Sequence, residues 1–199
     1  IVRLVADQAS GSMKGVVVSS APVTTEPETK LSLCFGLTNR DKVELILQKA
    51  TEVGVSAFYP FISERTLVQS TDLPTKKTVR WERIIREAAE QSGRGLLPKL
   101  HQPMTLAACA QRVRVDHARI LAAWEEAGDP SEHRLGKVVR TSIESLALFV
   151  GPEGGFSSEE IKMIQRCGGD VVSLGKRILR METAAIVFPA LVLQLLGEL

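Results

Sequence analysis

The sequence predicts an α/β domain built on a mostly parallel sheet with helices on both faces. Three observations carry that reading. From Leu31 to the end of the chain, strand-like apolar runs alternate with segments of helical period. The strongest run, Leu146–Val150, is apolar at every position, as a strand covered on both faces must be. The chain has 199 residues, 44% of them hydrophobic and 24% charged, enough for one folded domain plus a fragment of another.

The elements follow in order. Ile1–Val5 and Gly15–Ser19 read as short strands separated by the small, polar Gln8–Gly11. Ala21–Lys30, rich in Pro, Thr and Glu, reads as a linker. Residues 1–30 are too short to bury a core and look like the end of a small β-domain. Leu31–Leu37 is a continuous strand-like run. Val43, Ile46, Leu47, Ala50 and Val53 fall at helical spacing, and Gly54 is a stop. Val55–Ile62 is strand-like. Trp81, Ile84, Ile85, Ala88 and Ala89 form a second apolar helix face, ended by Gly93. Ile120–Ala123 is a short strand and Leu146–Val150 a buried one. Ser157 and Glu160 have capping-box spacing and open a helix that Gly168 closes. Val171–Leu174 is the next strand. Glu182–Leu196 is a final helix, apolar around nearly its whole circumference, and so expected to be covered on all sides, in part by a second copy of the chain. Pro189 lacks the donor to Ala185, so a kink is expected there.

Composition excludes several classes. Lys plus Arg is 25 and Asp plus Glu is 23, giving +2, too small for a polybasic tail protein. The longest apolar run, Ala184–Leu193, is far short of the ~18 residues that span a bilayer. Residues 1–30 lack a charged start followed by an apolar stretch, so no signal peptide is expected. Cys34, Cys109 and Cys167 are dispersed and odd in number, which fits a reducing cytoplasm. His101, His117 and His133 have no ligand-like spacing, so no metal is expected. The chain has no G-x-S-x-G, no G-x-G-x-x-G after a strand and no P-loop lysine.

Two loops, each between a strand and a helix, carry the functional signal. Gly151-Pro152-Glu153-Gly154-Gly155-Phe156 follows Leu146–Val150, where ligands of open α/β sheets bind. Such a turn also serves simply to pass from strand to helix. Leu174–Thr183 mixes Lys176, Arg177 and Arg180 with Ile178, Leu179 and Met181. Composition alone favours a plug of apolar side chains tucked under the loop. The alternative is an apolar slot for a flat ring, edged by backbone polar groups. Between Lys76 and Lys99, seven cations face three glutamates, a solvated helix face or a phosphate-contacting patch.

With these loops stand three further stretches: Gln48–Val55, Ser63-Glu64-Arg65 and Glu87–Arg94. Five motifs in this order over residues 31–196 resemble the ribosomal RNA small subunit methyltransferase E family, within the SPOUT superfamily. The resemblance implies a SPOUT-type trefoil-knotted methyltransferase domain over residues 31–199, with the knot in about 146–196. It implies that residues 1–30 end an N-terminal PUA-like β-domain. S-adenosylmethionine would sit bent in the knot against Val150, Gly151, Glu153, Gly154, Leu174, Gly175, Ile178, Leu179 and Met181. The implied reaction is methylation of N3 of a uridine in 16S ribosomal RNA, free or in the assembled 30S subunit, by a cytoplasmic homodimer. N3 of neutral uracil carries a proton, so a base or a stabilising cation is required. N3 is also the pairing edge, so the base must be unpaired or flipped. The catalytic candidates are Glu182, Arg94 and Arg180. Candidate RNA contacts are Arg65, Lys76, Lys77, Arg80 and Arg94. Glu52 is expected to position rather than react. Each of these charges has an ordinary alternative, as a helix-terminal carboxylate or a salt-bridge partner. A methyltransferase of another RNA such as transfer RNA, or a silent RNA-binding relic, are the competing readings.

Overall fold

The alternation read from the sequence resolves into β3 (Lys30–Gly36), α1 (Arg40–Val53), β4 (Ala57–Ile62), α2 (Thr75–Gln91), β5 (Lys99–Leu100), β6 (Met104–Thr105), α3 (Leu106–Asp116), β7 (Arg119–Ala123), α4 (Leu135–Val138), β8 (Ser145–Val150), α5 (Ser158–Arg166), β9 (Gly169–Val172) and α6 (Met181–Leu196). β1 (Val2–Asp7) and β2 (Ser12–Val17) precede them as a separate antiparallel pair. This computed structural model describes residues 2–7, 12–20, 22–72, 74–127, 133–139 and 143–199. The expected break at Gln8–Gly11 lies outside the described residues.

Among the described residues, the main sheet has seven strands in the order β5-β4-β3-β8-β7-β9, with β6 also on β4. Every pairing in it is parallel. The unbroken apolar runs are explained by the alternation of side chains across the sheet. Leu31, Leu33, Phe35, Leu146, Leu148 and Val150 face one core, which holds Trp81, Ile85 and Phe188 from α2 and α6. Cys34, Ala147 and Phe149 face the other, with Leu106 and Val113 of α3 and Ile161 and Ile164 of α5. Each fully buried large side chain contributes about 1.5–3 kcal/mol. Truncating Phe188, fully buried in α6, to Ala is expected to cost about 3–5 kcal/mol.

Two helix ends match their signals closely. Gly54, at φ 120°, closes α1. The Ser157 hydroxyl and the Glu160 carboxylate form a complete capping box on α5. The sequence reading passed over α3, although Leu106, Cys109, Ala110 and Val113 have helical spacing and Thr105 caps it through Ala108 N–H. It also passed over β5, β6 and α4, which are too short to show a period.

One expectation needs correction. The linker reading of Ala21–Lys30 missed how firmly the segment is tied. Thr25 Oγ1 donates to the Gly93 carbonyl at 3.0 Å, and Thr29 donates from its N–H and hydroxyl to the Glu198 carboxylate at 2.8 and 2.7 Å. The last helix is covered within the chain on part of its circumference, as the expectation of a further cover from outside the chain allows. Its inner face is buried, whereas Leu191 and Leu195 are 39% and 47% exposed. Pro189 is buried, and α6 continues through it to Leu196.

Candidate functional site

The parallel sheet directs the carboxyl ends of β7, β8 and β9 to one edge, and α6 begins there. A cavity of about 390 Å³ opens between them. Its walls are Ala123–Glu125 after β7, Val150, Gly151, Pro152, Glu153 and Gly155 after β8, and Ser173–Met181 after β9. Glu182 and Ala184 of α6 and Lys42 of α1 complete it. Gly155 has φ 69°, a backbone conformation that favours glycine, and the Glu125 carboxylate lies against it.

The polar groups of the cavity form a graded set. Glu153 Oε1 accepts from the Thr38 hydroxyl, and Lys42 Nζ reaches it at 3.1 Å. Burial pushes the Glu153 carboxyl up, but the Thr38 hydroxyl, its own backbone N–H and the Lys42 ammonium together hold it below the ordinary carboxylate range. Glu182 is different. Its side chain is 14% exposed, and Oε2 is sealed with no hydrogen-bond partner among the described residues. The nearest cation is again Lys42 Nζ, at 3.7 Å, beyond hydrogen-bonding reach. Trp124 Nε1, also at the cavity, is a second buried polar atom without a partner.

A family model described as an RNA methyltransferase domain matches residues 25–193. The ribosomal RNA small subunit methyltransferase E of Mesomycoplasma hyopneumoniae is 31% identical over 186 residues, covering 94% of this chain and 77% of that relative. The chain belongs to the ribosomal RNA small subunit methyltransferase E family. Its fold is likewise similar to the Neisseria gonorrhoeae family member crystallised with S-adenosylmethionine, at TM-score 0.84 and 28% identity, covering 98% of this chain and 78% of that one. The Legionella pneumophila methyltransferase Lpg2936, in complex with the cofactor SAM, matches at TM-score 0.72 and 31% identity, over 85% of this chain and 67% of that one. The chain spans from half to about three quarters of the lengths of the curated relatives it matches.

Set against the family motifs, the structure brings Val150, Gly151, Glu153, Leu174, Gly175, Ile178, Leu179 and Met181 to one cavity, with Glu182 and Arg180 at its edge. Gly154 does not line it. Its carbonyl accepts from Arg65 Nη1 at 3.0 Å, which ties the Ser63–Arg65 loop to the back of the glycine turn. The apolar residues of the second loop divide between the two readings of it. Met181 is buried in the core, Leu179 is half-buried against it, and Ile178 is 85% exposed at the cavity rim. Gly175, at φ 124°, occupies backbone space that a branched residue rarely adopts. A Gly175→Val change therefore strains the loop itself and does not isolate ligand binding.

Arg94 is a correction. It is neither at the cavity nor free for phosphate. Its side chain is 3% exposed and pairs with Glu26 at 2.6 Å, while Nη1 donates to the Thr51 and Val55 carbonyls at 3.0 and 2.6 Å. Arg80 is exposed, but its guanidinium is already engaged on the surface, bidentate on Glu44 at 2.5 and 2.7 Å. With Arg80 as the first cause, Glu44 is held down to about 2. Lys77 Nζ lies over the Trp81 ring at 5.1 Å, and Lys76 is exposed. Glu52 pairs with Lys49 at 2.9 Å, a local i,i+3 contact on α1.

The sequence reading missed Lys42, Thr38, Trp124 and Glu125. The rule that led to Gly151 would also have led to Thr38, Trp124 and Glu125, each just past the carboxyl end of β3 or β7 in the same sheet.

Proposed function

We propose that this chain methylates N3 of a uridine in 16S ribosomal RNA, with S-adenosylmethionine as donor. The observation that carries the reading is Glu182 Oε2: a buried carboxylate oxygen without a hydrogen-bond partner, at the edge of a cavity built by the family's two motif loops. The residues fit the donor. The cavity lies within the ~300–1,000 Å³ range of small-molecule sites. Val150, Gly151 and the Leu174–Met181 backbone would hold the adenine and ribose. Trp124 Nε1 offers an unused donor. S-adenosylmethionine, when bound, supplies a methyl carbon made electrophilic by a sulfonium, which leaves as a neutral thioether.

The protein's part is orientation and proton handling. The cavity walls hold the donor in line with N3 and exclude water. Glu182 accepts the N3 proton, and Arg180, at the mouth, neutralises nearby phosphate or a uracil oxygen. The exposed Lys76 and the half-buried Lys77 of α2, with Arg65, supply phosphate contacts. The family resemblance also supports a knotted path for residues 146–196 and a PUA-like origin for residues 1–30. The exposed Leu191 and Leu195 support a homodimer across the outer face of α6. Sedimentation at micromolar concentration should give twice the chain mass, and a monomer would remove that part of the reading. No helix among the described residues is long and apolar enough to cross a membrane, in keeping with work on cytoplasmic ribosomal subunits.

The test is nucleoside mass mapping of ribosomal RNA from a strain deleted for this gene. One 3-methyluridine should be missing from 16S RNA and return when the gene is restored. A missing transfer RNA methylation would support the competing substrate, and an unchanged nucleoside set a silent RNA-binding protein.

A further inference from the structure

Lys42 lies outside all five family motifs, yet it stands at the centre of the site's electrostatics. It projects from the first turn of α1 into the cavity and reaches two carboxylates. Toward Glu153 it makes a hydrogen bond of 3.1 Å. Toward Glu182 Oε2 it stops at 3.7 Å, near enough to attract and too far to bond. Glu153 is satisfied by Thr38 and Lys42 together, so it serves to hold the ammonium in place. An ammonium has three donors, and Glu153 accounts for one. The result is an unused acceptor, sealed behind the cavity wall, beside an ammonium with unused donors, and a substrate that parts the wall meets both.

That pair is the complement of a cyclic amide edge, in which an N–H adjoins a C=O. We propose that Lys42 is a catalytic residue that, with Glu182, grips the N3–C4=O4 edge of the target uracil. Glu182 Oε2 accepts the N3 proton, and Lys42 donates to the neighbouring carbonyl oxygen. The inference rests on the N3-methyltransferase reading above. In the step, the N3 proton moves to Glu182 and the N–H electron pair stays on the ring. The negative charge spreads to the carbonyl oxygen, where the ammonium stabilises it. The N3 pair then forms the bond to the methyl carbon as the carbon–sulfur bond breaks, its pair leaving with sulfur. Glu182 later releases its proton to water. The same pair rejects cytosine, whose N3 has no proton and whose exocyclic amino group would meet the ammonium as a second donor.

The experiment compares Lys42→Met and Lys42→Arg with the unaltered protein, using small-subunit RNA made with uridine or with 5-fluorouridine. Fluorine makes N3 more acidic and so does part of the work assigned to Lys42. Lys42→Met should fold and bind S-adenosylmethionine by calorimetry with little change. Its single-turnover methyl transfer should fall about 10²–10³-fold on uridine RNA, the loss typical of one oxyanion donor. The loss should shrink on 5-fluorouridine RNA, and Lys42→Arg should recover part of the rate. An unchanged rate, an equal loss on both RNAs, or a parallel loss of S-adenosylmethionine affinity would overturn the proposal. If Lys42→Met does not fold, Lys42→Arg decides: it keeps the charge but moves the donor, so a reduced rate less impaired on 5-fluorouridine RNA supports the role and an unchanged rate contradicts it. A different methylated nucleoside made by the unaltered protein would show instead that the N3 reading itself had failed.

Discussion

Arg94 and Glu182 both come from family motifs, both are largely buried, and both carry charge, yet their surroundings are opposite. The guanidinium of Arg94 places four of its five N–H groups on acceptors. Glu26 accepts from Nε and Nη2, and the Thr51 and Val55 carbonyls accept from Nη1. Glu26 in turn accepts from the backbone N–H groups of Gly95 and Leu96. Glu182 keeps one oxygen with no hydrogen bond at all among the described residues. A buried charge with its hydrogen bonds made holds a fold together, whereas one left unfinished beside a cavity calls for a functional reason. The same motif content thus splits into a clamp on the segment before β3 and an unpartnered carboxylate oxygen in the first turn of α6.

Removing each charge should break the molecule in a different way. The largest effect is expected from Arg94→Met, which leaves the half-buried Glu26 carboxylate without its cation, held only by the Gly95 and Leu96 N–H groups. Urea unfolding should show a loss of about 3–5 kcal/mol. The fraction that remains folded should bind S-adenosylmethionine normally. Methyl transfer lost at full stability would instead return Arg94 to the catalytic list. Next is Glu182→Gln, which should fold at least as stably as the unaltered chain and still bind S-adenosylmethionine. Its methyl transfer near neutral pH should fall by about 10²-fold or more.

Acid should separate the two sites further. Burial raises the Glu26 carboxyl, but the Arg94 hydrogen bonds and charge and the Leu96 and Gly95 N–H groups hold it below its ordinary value. A depressed folded value stabilises the protein above the ordinary carboxylate range, and that contribution is lost as pH falls through the folded value. Urea midpoints measured downward from pH 7 should therefore drop, and Glu26→Gln should flatten the drop. The smallest effect is expected at the surface. Replacing Lys76 and Lys77 with Ala should lower the salt dependence of RNA binding by about one unit of slope per lost phosphate contact. An unchanged slope would make this stretch of α2 a solvated face.

Much of this was legible in the sequence, for reasons that differ by residue. The strands β3, β4 and β8 were visible because burial on both faces makes them almost wholly apolar, with Ser32 the polar exception inside β3. The capping box of α5 was visible because its two partners are three residues apart. The cavity walls at Gly151 and Leu174 were visible because glycine and misplaced apolar side chains mark a loop as unusual. Arg94 was misjudged because its partners lie far away in sequence, at Glu26, Thr51 and Val55, and a one-dimensional motif carries no such contacts. Lys42 was invisible for the same reason. Its first-turn position on α1 looks like any solvated lysine until β3 and β8 pair and place Glu153 beside it.

The assignment of Glu182 as the proton acceptor is tested most directly by the pH dependence of single-turnover methyl transfer, with RNA and S-adenosylmethionine both saturating. With Glu182→Gln, solvent hydroxide must take the N3 proton, so the rate should climb about tenfold per pH unit through neutrality while the unaltered protein's profile is flatter. Parallel profiles for the two proteins would contradict that assignment and leave the unpartnered oxygen without a part in the reaction.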